Sequence, residues 1–285
     1  MITPLPEMLR EAGKRNVAVL APDFFSRHML ELELDIAEAH QAPIIASYPA
    51  LALDSFRRYR HWVAGLRLLC EKARVPVCLH LDHGKNVQVC LRAIDAGFAS
   101  VMIDGSALPL AENVRMTKSV VAAAHAKGVA VEGEIGHVGA GSAPIESRPG
   151  AGMLTDPHEA RFFAEQTGVD CLAVSIGTAH GVYTFEPRID FERLARIRNQ
   201  VPVPLVLHGS SGTGDENIAR AVKLGIRKVN LFTEFFRPYV AETIAFYKHN
   251  PLRLGYSSRK AIRQRAVIEP ILLRYFRLIG SVAAE

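Results

Sequence analysis

A chain of 285 residues, 49% apolar and 22% charged, has the makeup of an ordinary globular protein rather than a disordered or disulfide-stapled one, and it has only four cysteines. The formal charge of +5 is spread along the chain up to a C-terminal cluster of Arg253, Arg259, Lys260, Arg263 and Arg265 with Tyr256 as its only interleaved aromatic, so small anionic ligands account for it and no nucleic-acid partner is expected. No apolar run is long enough to cross a bilayer, and residues 1–10 carry Glu7 without the apolar core of a secretory signal, so the expectation is a cytoplasmic protein with no membrane partner.

Eight short apolar runs alternate with stretches of helical period. Strands are predicted over 17–20, 43–47, 75–81, 100–103, 129–135, 170–176, 203–207 and 227–231. Helical patterns follow them at about 25–40, 54–73, 86–96, 110–127, 156–167, 190–199, 214–224 and 233–248. Gly97, Gly128, Gly168 and Gly225 each fall between a helix and the next strand, where a left-handed residue ends a helix. Eight β–α units predict a closed (β/α)8 TIM barrel, with a doubly wound open sheet as the other arrangement such alternation permits. One domain over residues 1–285 is expected, with 250–285 as a helical C-terminal extension whose helix covers 258–276. The longest stretch without period runs from 136 to 153 and reads as a functional lid or a disordered segment. Cys70, Cys78, Cys90 and Cys171 lack C-x-x-C spacing and fall inside elements, as buried thiols do.

The third strand, Val-Pro-Val-Cys-Leu-His-Leu-Asp-His-Gly over 75–84, ends abruptly on Asp82 and His83. Asp104 follows the fourth strand, Glu134 ends the fifth, His180 follows the sixth, His208 the seventh, and Asn230 lies on the eighth. Six strand exits therefore deliver acids, imidazoles or an amide to one face, where barrel enzymes keep their active sites. A cluster of His80, Asp82 and His83 that merely caps the next helix is the plain alternative. His83, His180 and His208 together match the three-imidazole set of a catalytic zinc, which polarises a carbonyl oxygen. Asp82, beside a ligand, is free to move a proton. Asp104 and Glu134 suit either a second cation or the orientation of a ligand histidine. The small-residue loop 209–214, Gly-Ser-Ser-Gly-Thr-Gly, and the exit through Asn230, Leu231, Phe232 and Thr233 occupy the positions at which barrels bind phosphate. Metal and phosphate at one barrel mouth point to chemistry on a phosphorylated keto sugar.

These residues resemble the class II, zinc-dependent fructose-bisphosphate and tagatose-bisphosphate aldolase family. The resemblance runs from about residue 5 to 248 and includes 75–84, Met-Ile-Asp-Gly-Ser at 102–106, Ala-Glu-Asn-Val at 111–114, Lys-Ser-Val-Val at 118–121 and Leu-Thr-Asp-Pro at 154–157. Gly-Val-Asp at 168–170, Ile-Gly-Thr-Ala-His-Gly at 176–181, Pro-Leu-Val-Leu-His-Gly at 204–209 and Lys-Val-Asn at 228–230 continue it in order. The tagatose-type branch is the closer match. The resemblance implies that His83, His180 and His208 bind zinc, that Asp82 is the proton donor and acceptor at the hydroxyl of the scissile bond, and that Asp104 and Glu134 match positions able to bind a further cation. It implies that Gly181, Gly209, Ser210, Ser211, Asn230, Leu231, Phe232 and Thr233 hold dihydroxyacetone phosphate, with a sodium or potassium ion near these loops in keeping with the family. The implied reaction is reversible cleavage of a ketose 1,6-bisphosphate into dihydroxyacetone phosphate and an aldehyde, by a homodimer or homotetramer.

One departure stands out. Ser142 occupies the position of the family's mobile-loop glutamate, and Glu146 is the one carboxylate left in that loop to take over its proton transfer. The alternative is a divergent member acting on another sugar phosphate, or a sugar-phosphate-binding subunit without turnover. Phe232, Tyr48 and Asp23 also depart from the family pattern near the site, and Arg259 and Arg263 are candidates for gripping a distal phosphate.

Overall fold

The computed structural model describes residues 2–53, 58–140, 154–183, 186–249 and 258–283. In chain order the elements are α1 (Leu5–Lys14), β1 (Val19–Pro22), α2 (Arg27–Ala39), β2 (Ile44–Pro49), α3 (Ala50–Leu53), α4 (Tyr59–Lys72), β3 (Val77–Gly84), α5 (Val87–Ala96), β4 (Ser100–Ile103), α6 (Leu110–His125) and β5 (Ala130–Ile135). Then come β6 (Gly139–Ala140), α7 (Pro157–Thr167), β7 (Cys171–Val174), β8 (Ala179–His180), α8 (Phe191–Gln200), β9 (Leu205–Leu207), α9 (Asp215–Lys223), β10 (Ile226–Leu231), α10 (Thr233–His249) and α11 (Ser258–Leu278). Eight strands close in the order β1-β10-β9-β7-β5-β4-β3-β2, every pairing parallel. This is the (β/α)8 TIM barrel, and the open sheet is excluded because β1 bonds to β10.

Local chemistry explains where the helices begin and end. Ser26, Asn86, Asp156 and Asp190 each accept a backbone N–H bond from the first turn of α2, α5, α7 and α8. Gly97 and Gly168 close α5 and α7 in the left-handed conformation. Because Asn86 does the capping of α5, Asp82 and His83 are not spent on it.

Two features differ from the predicted alternation. Of the helix expected over 54–73, α4 covers 59–72 and residues 54–57 lie outside the described set, while the short α3 at 50–53 precedes the predicted range. No element is predicted before residue 17, yet α1 lies there and closes the floor of the barrel. Its Leu5, Met8, Leu9 and Ala12, spaced at helical period, share one apolar cluster with the strand residues Val19, Ala21, Ile45, Cys78, Met102, Cys171 and Val206. The interior is therefore filled from below, and the site is confined to the carboxyl ends of the strands. All four cysteines are buried free thiols. The C-terminal helix α11 packs against α10, α2, α9 and β1.

Candidate active site

Strand periodicity alone places His80 and Asp82 of β3 on one face and turns His83 away. β3 carries a bulge here: Leu81 pairs with Val101 but Gly84 with Ile103, three residues against two. His83 sits inside it with φ of 48°, a left-handed conformation a histidine rarely adopts. The strained residue brings its ring to the mouth beside Asp82, with Nε2 at 3.7 Å from Asp82 Oδ2. His180 comes from β8, a two-residue strand that pairs with β6 outside the barrel. His208 comes from just beyond β9 and is fully buried.

The three rings meet edge to face, with centroids 5.1 Å apart for His83 and His180, 4.7 Å for His83 and His208, and 5.8 Å for His180 and His208. One ring nitrogen from each lies within 4.8 Å of the others, a span one ion can bridge. Partners on the remaining nitrogens decide which atoms are offered. His83 donates from Nδ1 to Asp104 Oδ2 at 2.9 Å. His208 donates from Nε2 to Glu132 Oε1 at 2.9 Å, while its buried Nδ1 has no hydrogen-bond partner among the described residues. A buried ring nitrogen left without a partner is what a metal ligand looks like before its ion, and the residues fit a divalent cation.

The electrostatics fit it as well. Burial, and then the charge of His83, keep His208 neutral and lower the His180 pKa to about 4. Burial also opposes charge on His83, but the carboxylates of Asp82 and Asp104 outweigh it and push its pKa up to about 10. The neighbouring acids therefore favour the cationic form of the His83 ring.

Asp104 and Glu134 differ in how far they are used. Asp104 Oδ2 also takes Lys85 Nζ, and Oδ1 accepts from Ser106 Oγ at 2.7 Å and Ser106 N at 3.1 Å. So engaged, it orients His83. Glu134 Oε2 has no hydrogen-bond partner among the described residues, though it lies 3.9 Å from His83 Nδ1, and burial followed by the charge of Asp104 raises its pKa to about 7. Ligand atoms of His83, Asp104 and Glu134 also lie within 4.8 Å of one another, which makes them a second candidate cation cluster.

A cavity of about 260 Å3 unites Asp82, His83, His180 and His208 with Gly181, Gly209, Ser210, Ser211, Asn230, Leu231, Phe232 and Thr233, so the candidate donor set and the candidate phosphate loops share one space. Gly209 has φ of 68°, and a Cβ there would stand 2.5 Å from the Ala179 carbonyl oxygen, so only glycine lets the loop run against β8. Asp82 accepts from Asn230 Nδ2 at 3.0 Å. Burial works against its ionisation, but the charge of the neighbouring His83 holds its pKa below the ordinary value. Asp23 lines the same cavity, and burial followed by the charge of Asp82 raises its pKa well above the usual carboxylate range. Phe232 forms a wall with Phe25 and Phe236, at centroid distances of 5.2 Å and 4.6 Å. Tyr48 is buried against Phe24 rather than in the cavity. Ser142 and Glu146 lie outside the described residues, as does Arg253. Arg263 pairs with Glu242.

Sequence reading missed the layer beneath. Lys228 Nζ donates to Glu132 Oε2 at 2.6 Å and to His80 Nε2 at 3.3 Å, and His80 Nδ1 donates to Ser100 Oγ at 2.6 Å. These residues are fully buried. Burial disfavours the charge of Lys228, but Glu132 more than restores it. The signal was there: Glu132 and Lys228 stand two residues before Glu134 and Asn230, on the same inward face of their strands.

Known proteins share this frame. Over 273 residues the chain is 38% identical to YdjI of Escherichia coli K12, covering 95% of each. The crystal structure of the YdjI aldolase superposes with a TM-score of 0.85 at 32% identity, covering 99% of each chain. A putative fructose-1,6-biphosphate aldolase from Coccidioides immitis gives 0.85 at 26% identity, covering 98% of this chain and 96% of the other. The fructose-bisphosphate aldolase of Campylobacter jejuni gives 0.82 at 20% identity, with coverage of 100% and 97%, a likeness of fold. The model of the family described as fructose-bisphosphate aldolase class-II matches residues 3–282, and on that match together with the YdjI identity this chain belongs to the class II fructose-bisphosphate aldolases, a family of carbon–carbon lyases.

Proposed function

We propose that the protein is a divalent-metal-dependent aldolase that reversibly cleaves a phosphorylated ketose, a ketose 1,6-bisphosphate of the tagatose or fructose type, into dihydroxyacetone phosphate and an aldehyde. The observation that carries this reading is the single cavity in which three imidazoles, an ionised Asp82 and the small-residue loops meet. His83, His180 and His208 are the residues to hold the metal, and imidazole donors suit a zinc-like ion. Once bound there, such an ion supplies a Lewis acid for the substrate carbonyl.

The chain's own groups do the rest. Asp82, fixed by Asn230, removes the proton from the C4 hydroxyl as the C3–C4 bond breaks and the aldehyde leaves, and returns it in the direction of synthesis. The carbon left with the electron pair needs a proton to become dihydroxyacetone phosphate, the task assigned to Glu146. The backbone of Gly181, Gly209, Ser210 and Ser211, with Asn230 through Thr233, receives the phosphate, which a nearby sodium or potassium ion would help to neutralise. Glu134, with one free oxygen, is the ligand to expect for a second cation beside His83.

Ser142 favours a second reading, a sugar-phosphate-binding subunit without turnover. Against it stands Asp82, since binding alone gains nothing from a proton acceptor beside a Lewis-acid site. Metal analysis of the purified protein, with a panel of phosphorylated ketoses assayed before and after chelation, separates the two. Cleavage that stops with chelator is expected. Tight binding of ketose phosphates by metal-loaded protein with no cleavage of any of them would establish the second.

A further inference from the structure

The two loops that face the phosphate are fastened from outside by adjacent residues of the last helix. Tyr275 of α11 is buried, and its hydroxyl donates to Glu234 Oε2 at 2.7 Å while lying 3.4 Å from the Ser210 carbonyl oxygen. Arg274 pairs with Glu234 Oε1, and its other terminal nitrogen lies 3.6 Å from Asp215 Oδ1. Glu234 directly follows Thr233, and its backbone N–H donates to Ser211 Oγ at 3.2 Å. Asp215 opens α9, where the 209–214 loop ends. A two-residue stretch of α11 thus touches both halves of the loop system, from strands β9 and β10.

We propose that Arg274 and Tyr275 are positioning residues for phosphate recognition: they hold the two loops at a fixed spacing and neutralise the Glu234 carboxylate beside them. This rests on the reading of the loops as a phosphate cradle.

Two physical needs support it. The β9 loop carries left-handed glycines at 209, 212 and 214, so its backbone has little of its own to hold one shape. Amide donors recognise an anion strongly only when their geometry is set in advance. Glu234 also suits the N-terminus of α10 but repels an arriving phosphate. Arg274 and Tyr275 occupy both of its oxygens, which turns a repulsive group into a strut.

The test uses the full-length, metal-loaded enzyme with a phosphorylated ketose as substrate and inorganic phosphate as competitor. Arg274→Gln is expected to raise KM and the phosphate inhibition constant together by about tenfold with kcat within about threefold, since the loss falls on binding of the charged group. Tyr275→Phe, which keeps the ring, shifts the same two constants about three- to fivefold. Adding Glu234→Gln to Arg274→Gln should restore most of the phosphate affinity, because the uncompensated charge is gone. A merely structural role predicts lower melting temperature and kcat with KM and phosphate inhibition unmoved, or no rescue by the double variant, and either result overturns the proposal. Unchanged constants in every variant of a wild type that does turn over ketose phosphates overturn the positioning role alone. A wild type that neither cleaves them nor is inhibited by phosphate overturns the functional reading, and this proposal with it.

Discussion

Glu132 Oε1 accepts the Nε2 hydrogen of His208 at 2.9 Å, and this one bond fixes the tautomer that leaves Nδ1 exposed to the other two rings. Glu132 in turn is ion-paired with Lys228 in a part of the barrel with no solvent access. Glu132→Gln is expected to lower metal affinity by about 10- to 100-fold through loss of that orientation. It should also destabilise the fold by about 3–5 kcal/mol, since Lys228 is left buried without its anion. Adding Lys228→Met should recover stability and leave the metal affinity low. Competition with a chromogenic chelator and thermal melting read the two effects separately. Recovery of metal affinity in the double variant would count against the tautomer argument.

Chelation should act on more than turnover. A ligand that binds only the folded state at 100 times its dissociation constant adds about 2.7 kcal/mol, so removing a tightly held metal lowers the melting temperature, and zinc restores it. His208→Ala should abolish this increment. An unshifted melting curve after complete metal removal contradicts the assignment of the three rings.

The two proposed proton-transfer groups are separable. Asp82→Asn keeps the hydrogen-bond geometry with Asn230 but removes the base, and carbon–carbon cleavage should fall by about 10²- to 10⁴-fold with metal content unchanged. Exchange of the C3 hydrogen of dihydroxyacetone phosphate with solvent should survive in that variant. In Glu146→Gln the same exchange should be lost, and its persistence at the wild-type rate removes Glu146 from the mechanism.

Glu33, on α2, is fully buried, and among the described residues neither of its carboxyl oxygens has a hydrogen-bond partner. Burial first, and then the neighbouring Asp23 carboxyl, raise its pKa well above the usual glutamate range. The folded state therefore binds a proton that the unfolded state has released, and stability present below pH 4.5 is lost as pH rises toward the folded pKa. Each unit of that shift is worth about 1.4 kcal/mol. Glu33→Gln should raise the melting temperature at pH 8 and flatten its decline between pH 5 and 8. A variant less stable than wild type at pH 8 shows that the ionised carboxylate has a partner in solution.

Much of this molecule is written locally. Alternation of apolar runs with helical period reports the barrel because both periods arise within a few residues, and strand ends mark the mouth, so His83, His180, His208, Asp82 and the loop at 209–214 were legible before any contact was known. The helical patterns predicted from 86 and from 156 begin on Asn86 and Asp156, the residues that cap α5 and α7.

What the tertiary structure decided depends on residues that meet only when the sheet closes. The bulge that turns His83 inward is a mismatch between β3 and β4, and neither strand encodes it alone. The bond from Glu132 to His208 joins residues 76 apart, and that from Lys228 to Glu132 residues 96 apart, so no local period announces them. Tyr275 reaches Ser210 and Glu234 because α11 returns to the barrel after the eighth strand is complete. Sequence by itself determined which chemical groups arrive at the rim, since strand length and alternation are short-range properties. Closure of the barrel decided which nitrogen His83 and His208 offer, because that is set by partners from other strands.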